Sequence, residues 1–331
     1  MGFFTLELCA GAGGQALGLE RAGFAHAAAV EIDADACRTL RTNRPGWFVH
    51  EGDVKSFDAK PYAGIDLVAG GFPCPPFSVA GKQLGADDER DLFPAGLRLI
   101  SETRPKAVML ENVRGILDPA FADYRGKIDK RLRRLGYVAQ WKLLNSADYG
   151  VSQLRPRVVI VALKSQYADR FAWPKAQPKP VSVGELLFDL MSENGWEGAA
   201  RWRDQANTIA PTIVGGSKKH GGPDLGPTRA RKAWAALGVD GLGVANAAPE
   251  PGFRGMPRLT VKMVARLQGF PDDWEITGKK TAAYRQVGNA FPCPVAAAVA
   301  RNIKKAISPP AVRGRRSTAA NSQASWQPAL L

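Results

Sequence analysis

Short apolar runs alternate with segments of helical spacing through the first half of the chain. Thr5–Cys9 reads as a strand that ends in a glycine turn, and Ala16, Leu19 and Ala22 then give Gln15–Ala22 the spacing of a helix. Ala27–Ile32 reads as a second strand, followed by a helix over Asp33–Thr42 with Asp33 as its N-cap. A third strand is expected to end near Asp53. Ile65–Ala69 and Ala107–Leu110 are near-continuous apolar strands of the kind buried inside parallel sheets, Leu92–Ser101 and Tyr124–Leu135 read as helices between strands, and Val158–Leu163 is another strand. This alternation predicts an α/β fold built on a doubly wound, mostly parallel sheet.

The rhythm stops after Leu163. Residues 164–257 are rich in Gly, Pro and Trp and lack βα alternation, so a smaller irregular domain is expected there. Helical spacing returns over Thr260–Leu267 and Pro294–Ile307. Val295, Val299 and Ile303 recur at i, i+4 and i+8, giving the last helix one apolar face. Beyond Ser308 the chain is small, polar and basic and is expected to be disordered.

Composition narrows the class. The 331 residues are 45% hydrophobic and 23% charged, which excludes a wholly disordered or collagen-like chain. The apolar runs are far shorter than the roughly 20 residues that cross a bilayer, and no signal-peptide pattern is read at the N-terminus. A cytoplasmic protein is expected. Four cysteines (Cys9, Cys37, Cys74, Cys293) without a CxxC pair and three histidines argue against structural zinc, a disulfide framework or a His-based metal site. The net charge of +14 is concentrated late in the chain, where residues 258–331 hold twelve Lys/Arg against three acids. Such a cluster suits a polyanion partner, although a soluble protein with a basic tail has the same composition.

Candidate chemistry lies where strands end. Cys9-Ala-Gly-Ala-Gly-Gly-Gln-Ala16 follows the first strand and opens the first helix, and Gly11 and Gly13 let the backbone approach a ligand. Glu31 lies at the end of the second strand, where its carboxylate can accept bonds from ribose hydroxyls. Asp53 is placed to meet an adenine amino group. This set suits any adenosine cofactor, and the Gly-x-Gly-x-x-Ala form leaves a nicotinamide dinucleotide open beside S-adenosylmethionine. Cys74, in Gly70-Gly-Phe-Pro-Cys-Pro-Pro-Phe-Ser78, stands beyond a sheet strand among prolines that stiffen the backbone, a setting for a positioned nucleophile. Glu111-Asn112-Val113 follows another strand and brings a carboxyl group to the same edge. In Gln153-Leu-Arg-Pro-Arg157, Arg155 and Arg157 are two apart before a strand and are expected to point the same way, ready to grip a phosphate or a carbonyl oxygen.

These blocks, in this order, resemble the DNA cytosine-C5 methyltransferases of the bacterial type. Arg266-Leu-Gln-Gly-Phe-Pro271 and Gln286-Val-Gly-Asn289 complete the resemblance, which covers residues 4–307 apart from 164–257. The chain departs from the common pattern at four places. Cys9 stands where many members have Phe, Ile32 where some have Trp, Pro75 where Gln is common, and Glu7 where Asp is frequent.

The resemblance implies a Rossmann-like fold that uses S-adenosylmethionine. It implies that Cys74 attacks C6 of a flipped-out cytosine, that Glu111 protonates N3, that Asn112 orders the nucleophile loop, and that Arg155 and Arg157 hold the flipped nucleotide. Cys9, Gly11, Gly13, Gly14, Glu31, Ile32, Asp53, Leu92 and Asn289 are then the cofactor residues. Ser78, Gln153, Lys218, Lys219, Arg229 and Arg231, together with His220 and Lys232, are the candidates for DNA contact. Residues 1–163 are expected to form the catalytic and cofactor-binding domain and 164–284 the target-recognition domain. Residues 285–307 are expected to return to the first domain, with 308–331 as tail. Double-stranded DNA is the expected partner, with a cognate restriction endonuclease acting on the same site, and the chain is expected to act as a monomer. A tRNA-cytosine methylating branch, a dehydrogenase and a non-catalytic DNA-binding protein are the competing readings. The dehydrogenase leaves Pro-Cys and Glu-Asn-Val without a use.

Overall fold

The computed structural model describes residues 2–72, 91–177, 179–215 and 222–309. In chain order the elements are β1 (Phe3–Leu8), α1 (Gly14–Arg21), β2 (Phe24–Glu31), α2 (Ala34–Asn43), β3 (Val49–Glu51), β4 (Leu67–Gly71), α3 (Phe93–Thr103), β5 (Ala107–Val113), α4 (Ala122–Arg134), β6 (Tyr137–Asn145), β7 (Pro156–Lys164), α5 (Ser165–Ala168), α6 (Val183–Ser192), α7 (Ala199–Gln205), α8 (Thr228–Ala236), α9 (Val261–Leu267), α10 (Lys280–Asn289) and α11 (Cys293–Ile307).

Seven strands form one sheet in the order β3-β2-β1-β4-β5-β7-β6. β1 to β5 are parallel, and β7 runs antiparallel to both β5 and β6. The apolar runs predicted as strands occupy the middle of the sheet and are buried on both faces. β6 has no such run. It is an edge strand with a mostly half-exposed side-chain pattern, which is why its sequence did not mark it. The antiparallel β7 turns its beginning, rather than its end, toward the carboxyl edge of β1–β5. Asp33 caps α2 as expected, accepting bonds from the N–H groups of Asp35 and Ala36.

Helices α3 and α4 cover one face of the sheet through Leu99, Ile100, Ile128 and Leu132. Helices α1 and α11 cover the other through Leu19, Val295, Val299 and Ile303. The two helices of this second layer cross at Gly18, where a Cβ would lie 2.5 Å from the Ala296 methyl and 2.7 Å from the Cys293 carbonyl. Only glycine permits that approach.

The region after Leu163 contains more regular structure than its composition suggests. It holds α6, started by a Ser182–Glu185 capping box, and also α7 and α8. Its core residues Val183, Leu187, Trp202 and Trp234 run without a break into Met263, Phe270, Trp274 and Val287, and from there to Leu17 of α1 and Leu40 of α2. The segment therefore shares a core with the sheet domain. Among the described residues, no helix is long and apolar enough to cross a membrane.

Candidate active site

The strand order reverses between β1 and β4, and at such a switch point open α/β sheets bind ligands beyond the carboxyl ends of their strands. The register brings the ends into line. Leu8 pairs with Val30 and Gly70, Gly71 with Glu111, and Val113 with Arg157.

On the β1–β3 side the ligand-facing surface is mostly main chain. Cys9 and Gly11 have φ of +54° and +55° and Gly13 has φ of +87°, so the loop turns back at once into α1. A Cβ on Gly11 would meet nothing within 4 Å, which leaves open space above the loop, whereas one on Gly14 would lie 2.4 Å from the Phe291 carbonyl. The Glu31 carboxylate ties the loop down. It accepts the Gly11 N–H at 2.7 Å and the Ile32 and Asp33 N–H groups at 2.9 and 2.8 Å. Sequence reasoning assigned Glu31 to ribose alone; the structure gives it a prior duty, closing the glycine loop onto β2. Ile32 beside it is 67% exposed. Asp53 receives the Lys55 N–H, Leu92 immediately precedes α3, and Asn289 ends α10 in an exposed position beside Gly215.

A residue that the sequence reading passed over holds this loop from behind. The Trp274 indole N–H donates to the Ala12 carbonyl at 3.0 Å, and its ring lies where a Gly13 Cβ would come within 2.8 Å. Arg44 sits over both Trp47 and Trp274 and is held by Glu20. The only sequence signal was an aromatic residue three positions past Pro271.

On the β4–β5–β7 side the groups are buried side chains. Arg157 contacts the Glu111 carboxylate at 2.8 Å, and the Glu111 side chain is only 11% exposed. Burial raises the Glu111 pKa above the ordinary carboxyl value, and the charges of Arg157 and Arg155 oppose that rise. The Asn112 amide donates to the Phe72 carbonyl at 3.1 Å. Phe72 is packed on Phe93 and is the last described residue before Pro73 and Cys74. Cys74 and Ser78 themselves lie outside the described residues.

The arginine pair does not act as a pair. Arg157 lies inside β7 and turns to Glu111. Arg155 precedes the strand and is fully buried, and its terminal nitrogens donate to the carbonyls of Ile213 at 2.6 Å, Gly288 at 2.8 Å and Ala290 at 3.1 Å. Burial depresses its pKa. In this structure both ends of the Arg155 fork are therefore engaged by main-chain carbonyls. Gln153, expected at the DNA, is also fully buried. Its amide donates to Leu267 O and to Gln268 Oε1 at 3.0 Å and accepts the Ile213 N–H at 2.9 Å. Gln268 in turn donates to Val287 O at 2.9 Å. The Gln-x-Arg-x-Arg, Arg-Leu-Gln-Gly-Phe and Gln-Val-Gly-Asn blocks therefore meet in one buried hydrogen-bond network.

Comparison with known proteins decides the family. A profile of C-5 cytosine-specific DNA methylases matches residues 3–305. The chain belongs to the C-5 cytosine-specific DNA methylases. It is 60% identical over 311 residues to the Type II methyltransferase M.NgoMIV of Neisseria gonorrhoeae, covering 93% of this chain and 99% of that one. It is 56% identical over 310 residues to the Type II methyltransferase M.NaeI of Lentzea aerocolonigenes, covering 92% and 75%. Among solved structures it resembles the Entamoeba histolytica methyltransferase EhMeth, with a TM-score of 0.65 at 15% identity over 93% of this chain and 100% of that one. That likeness shows the Rossmann-like methyltransferase fold.

The candidate DNA residues of this methylase divide. Arg229 and Lys232 are exposed on α8, while the Arg231 stem packs on Gly241. Lys218, Lys219 and His220 lie outside the described residues.

Proposed function

We propose that this methylase transfers the methyl group of S-adenosylmethionine to C5 of one flipped-out cytosine in a specific duplex sequence, as the modification enzyme of a Type II restriction-modification system. The observation that carries the reading is the buried Glu111–Arg157 pair at 2.8 Å, set in register with Gly71, three residues before Cys74. The residues around the glycine loop fit the cofactor. Open space stands over Gly11, an exposed apolar Ile32 offers a face to adenine, Glu31 ends β2, and Asp53 lies just past the neighbouring β3. Leu92 and Asn289 complete the assignment. When bound, S-adenosylmethionine supplies the methyl group as an electrophile on a sulfonium.

The rest falls to the chain. Cys74 forms a bond to C6 as Glu111 passes its proton to N3, so the electrons of the C5–C6 double bond become available at C5 without a negative ring. Burial favours the protonated carboxyl group, and Arg157 keeps it oriented and within reach of deprotonation. After methylation, water takes the C5 proton, the C5–C6 double bond re-forms as the Cys74 thiolate leaves, and N3 returns its proton to Glu111. Both carbons are inaccessible inside a stacked duplex, so the base must leave the helix. Asn112 acts through the Phe72 carbonyl, fixing the chain two residues before Cys74. Arg155 and Gln153 are positioning residues, which fix the segments of the recognition region against the catalytic edge.

The region 164–284 is assigned to target recognition, with α8 contributing phosphate contacts, and a restriction endonuclease reading the same site is the expected partner. The test is incorporation of label from S-adenosylmethionine into duplex DNA, followed by bisulfite sequencing of the product. Methylation of one cytosine in one short sequence is expected. Label entering tRNA and not DNA, or no label at all, would overturn the reading.

A further inference from the structure

Helix α4 exposes Lys127, Lys130, Arg131, Arg133 and Arg134, and none of the five is in an ion pair among the described residues. Lys127, Lys130, Arg131 and Arg134 stand at i, i+3, i+4 and i+7 and so share one face. Ile128 and Leu132 are buried against the sheet on another face. The helix has two acids. Asp123 lies in its first turn, and Asp129 is taken by the Trp141 indole at 2.8 Å. The positive surface continues around the helix end. Arg104 is exposed at the turn after α3, and Lys164 caps the Leu135 carbonyl at 2.8 Å. Burial and the nearby Arg104 hold the Lys164 ammonium below its ordinary value.

Helix electrostatics account for part of this. Cations in the last turn meet the negative end of the helix dipole, which explains Arg131, Arg133 and Arg134. It does not explain Lys127 and Lys130, nor the like-charge i,i+4 pairs 127/131 and 130/134, which cost helix stability. The placement is also informative. The helix leaves the catalytic end of β5 and returns to Tyr137, which pairs with Lys164 at the opposite end of the sheet. Its cationic half therefore lies away from Glu111 and the glycine loop.

We propose that this face of α4, with Arg104 and Lys164, is a second phosphate-backbone surface that holds duplex DNA outside the segment lying in the active-site crevice. Lys127 to Arg134 spans about 10 Å of helix, and a duplex carries one charge per roughly 1.7 Å of axis, so the face meets several phosphates at once. The proposal rests on duplex DNA being the substrate. Its effect is to enrich the enzyme on long DNA without changing the chemical step.

The test compares the wild type with a Lys127→Ala, Lys130→Ala, Arg131→Ala, Arg134→Ala variant, alanine being a strong helix former. On a duplex of about 20 bp carrying the site found by bisulfite sequencing, too stiff at that length to bend from the crevice to the opposite end of the sheet, methylation within about two-fold of wild type is expected. On kilobase DNA the apparent KM is expected to rise about ten-fold, and the slope of log affinity against log salt to fall by about two to four. An unchanged KM and salt slope on long DNA would overturn the proposal. So would equal losses on the short and long duplexes, because the face would then belong to the crevice. Loss of binding to poly-glutamate with long-DNA binding intact would assign the face to an acidic protein and also overturn it. A wild type inactive on the short duplex would strike the proposed function instead, while the salt slope on long DNA would still judge this face. If the quadruple variant does not fold, the Lys127→Ala, Lys130→Ala pair provides the same reading with an expected slope change of about two.

Discussion

The two halves of the carboxyl edge hold their functional groups by different means. The β1–β3 half is a main-chain device: left-handed loop residues, one carboxylate gathering three N–H groups, and an indole bracing the loop from behind. The β4–β5–β7 half is a side-chain device, in which a buried carboxyl group is balanced by one guanidinium and a second guanidinium is spent on three carbonyls. A main-chain site accepts different side chains at its rim but no added Cβ at its close approaches. This leaves the exposed Ile32 at the rim less constrained than Gly13 and Gly14, where an added Cβ would clash. A side-chain site depends on charge balance and on every partner being present.

Substitutions should separate the halves. The largest expected effect is at Cys74. Cys74→Ser should abolish turnover and leave cofactor affinity by calorimetry within a few-fold, since a hydroxyl is far less acidic than a thiol of pKa about 8.5. Measurable methylation by Cys74→Ala would refute the nucleophile. Next, Glu111→Gln should lower kcat by roughly 10²- to 10⁴-fold through loss of the general acid, again with cofactor binding intact. The sign of the pH effect follows from the pair. Arg157 lowers the Glu111 pKa, so Arg157→Met should raise it and move the descending limb of the kcat/KM profile to higher pH. A limb that stays put, or moves to lower pH, would separate Glu111 from the proton transfer.

Arg155→Met should cost about 3 kcal/mol or more of stability, because three buried carbonyls lose their donors. Thermal unfolding would show it, and a loss of activity with an unchanged midpoint would return Arg155 to a direct role. In the other half, Gly14→Ala should cost about 1–3 kcal/mol from the contact with the Phe291 carbonyl and weaken cofactor binding. At the small end, ending the chain after Ser308 should leave site-specific methylation within about two-fold, because α11 and its apolar face are complete by then and the tail adds only a few screened charges.

Much of the fold was legible because its signals are local. Apolar runs marked β4, β5 and β7, helical spacing marked α1 and α11, and Asp33 announced α2. The edge strand β6 was not legible, since half its side chains face solvent. The helices α6 to α8 were missed because Gly, Pro and Trp obscured their periodicity. At the site, the glycine loop, Glu31 and the Glu111-Asn112 end of β5 were found from their place after strands. Arg155 was read as ligand-facing from its spacing and Gln153 from the resemblance, and neither carries information about burial. The basic face of α4 was visible in the sequence as Lys127 to Arg134 but was overshadowed by the larger surplus near the C-terminus.

Sequence alone was enough for the α/β class, the order of the chemical blocks and the family resemblance. Each of these depends on residue types within a few positions of one another, so the chain carries it locally. Folding assigned the partners. Arg155 finds its carbonyls 58 to 135 residues away, Gln153 meets Gln268 across 115 residues, and Trp274 reaches Ala12 across 262. A buried polar group must take whichever partner the packed chain brings within hydrogen-bond reach, and neither spacing nor composition encodes that choice.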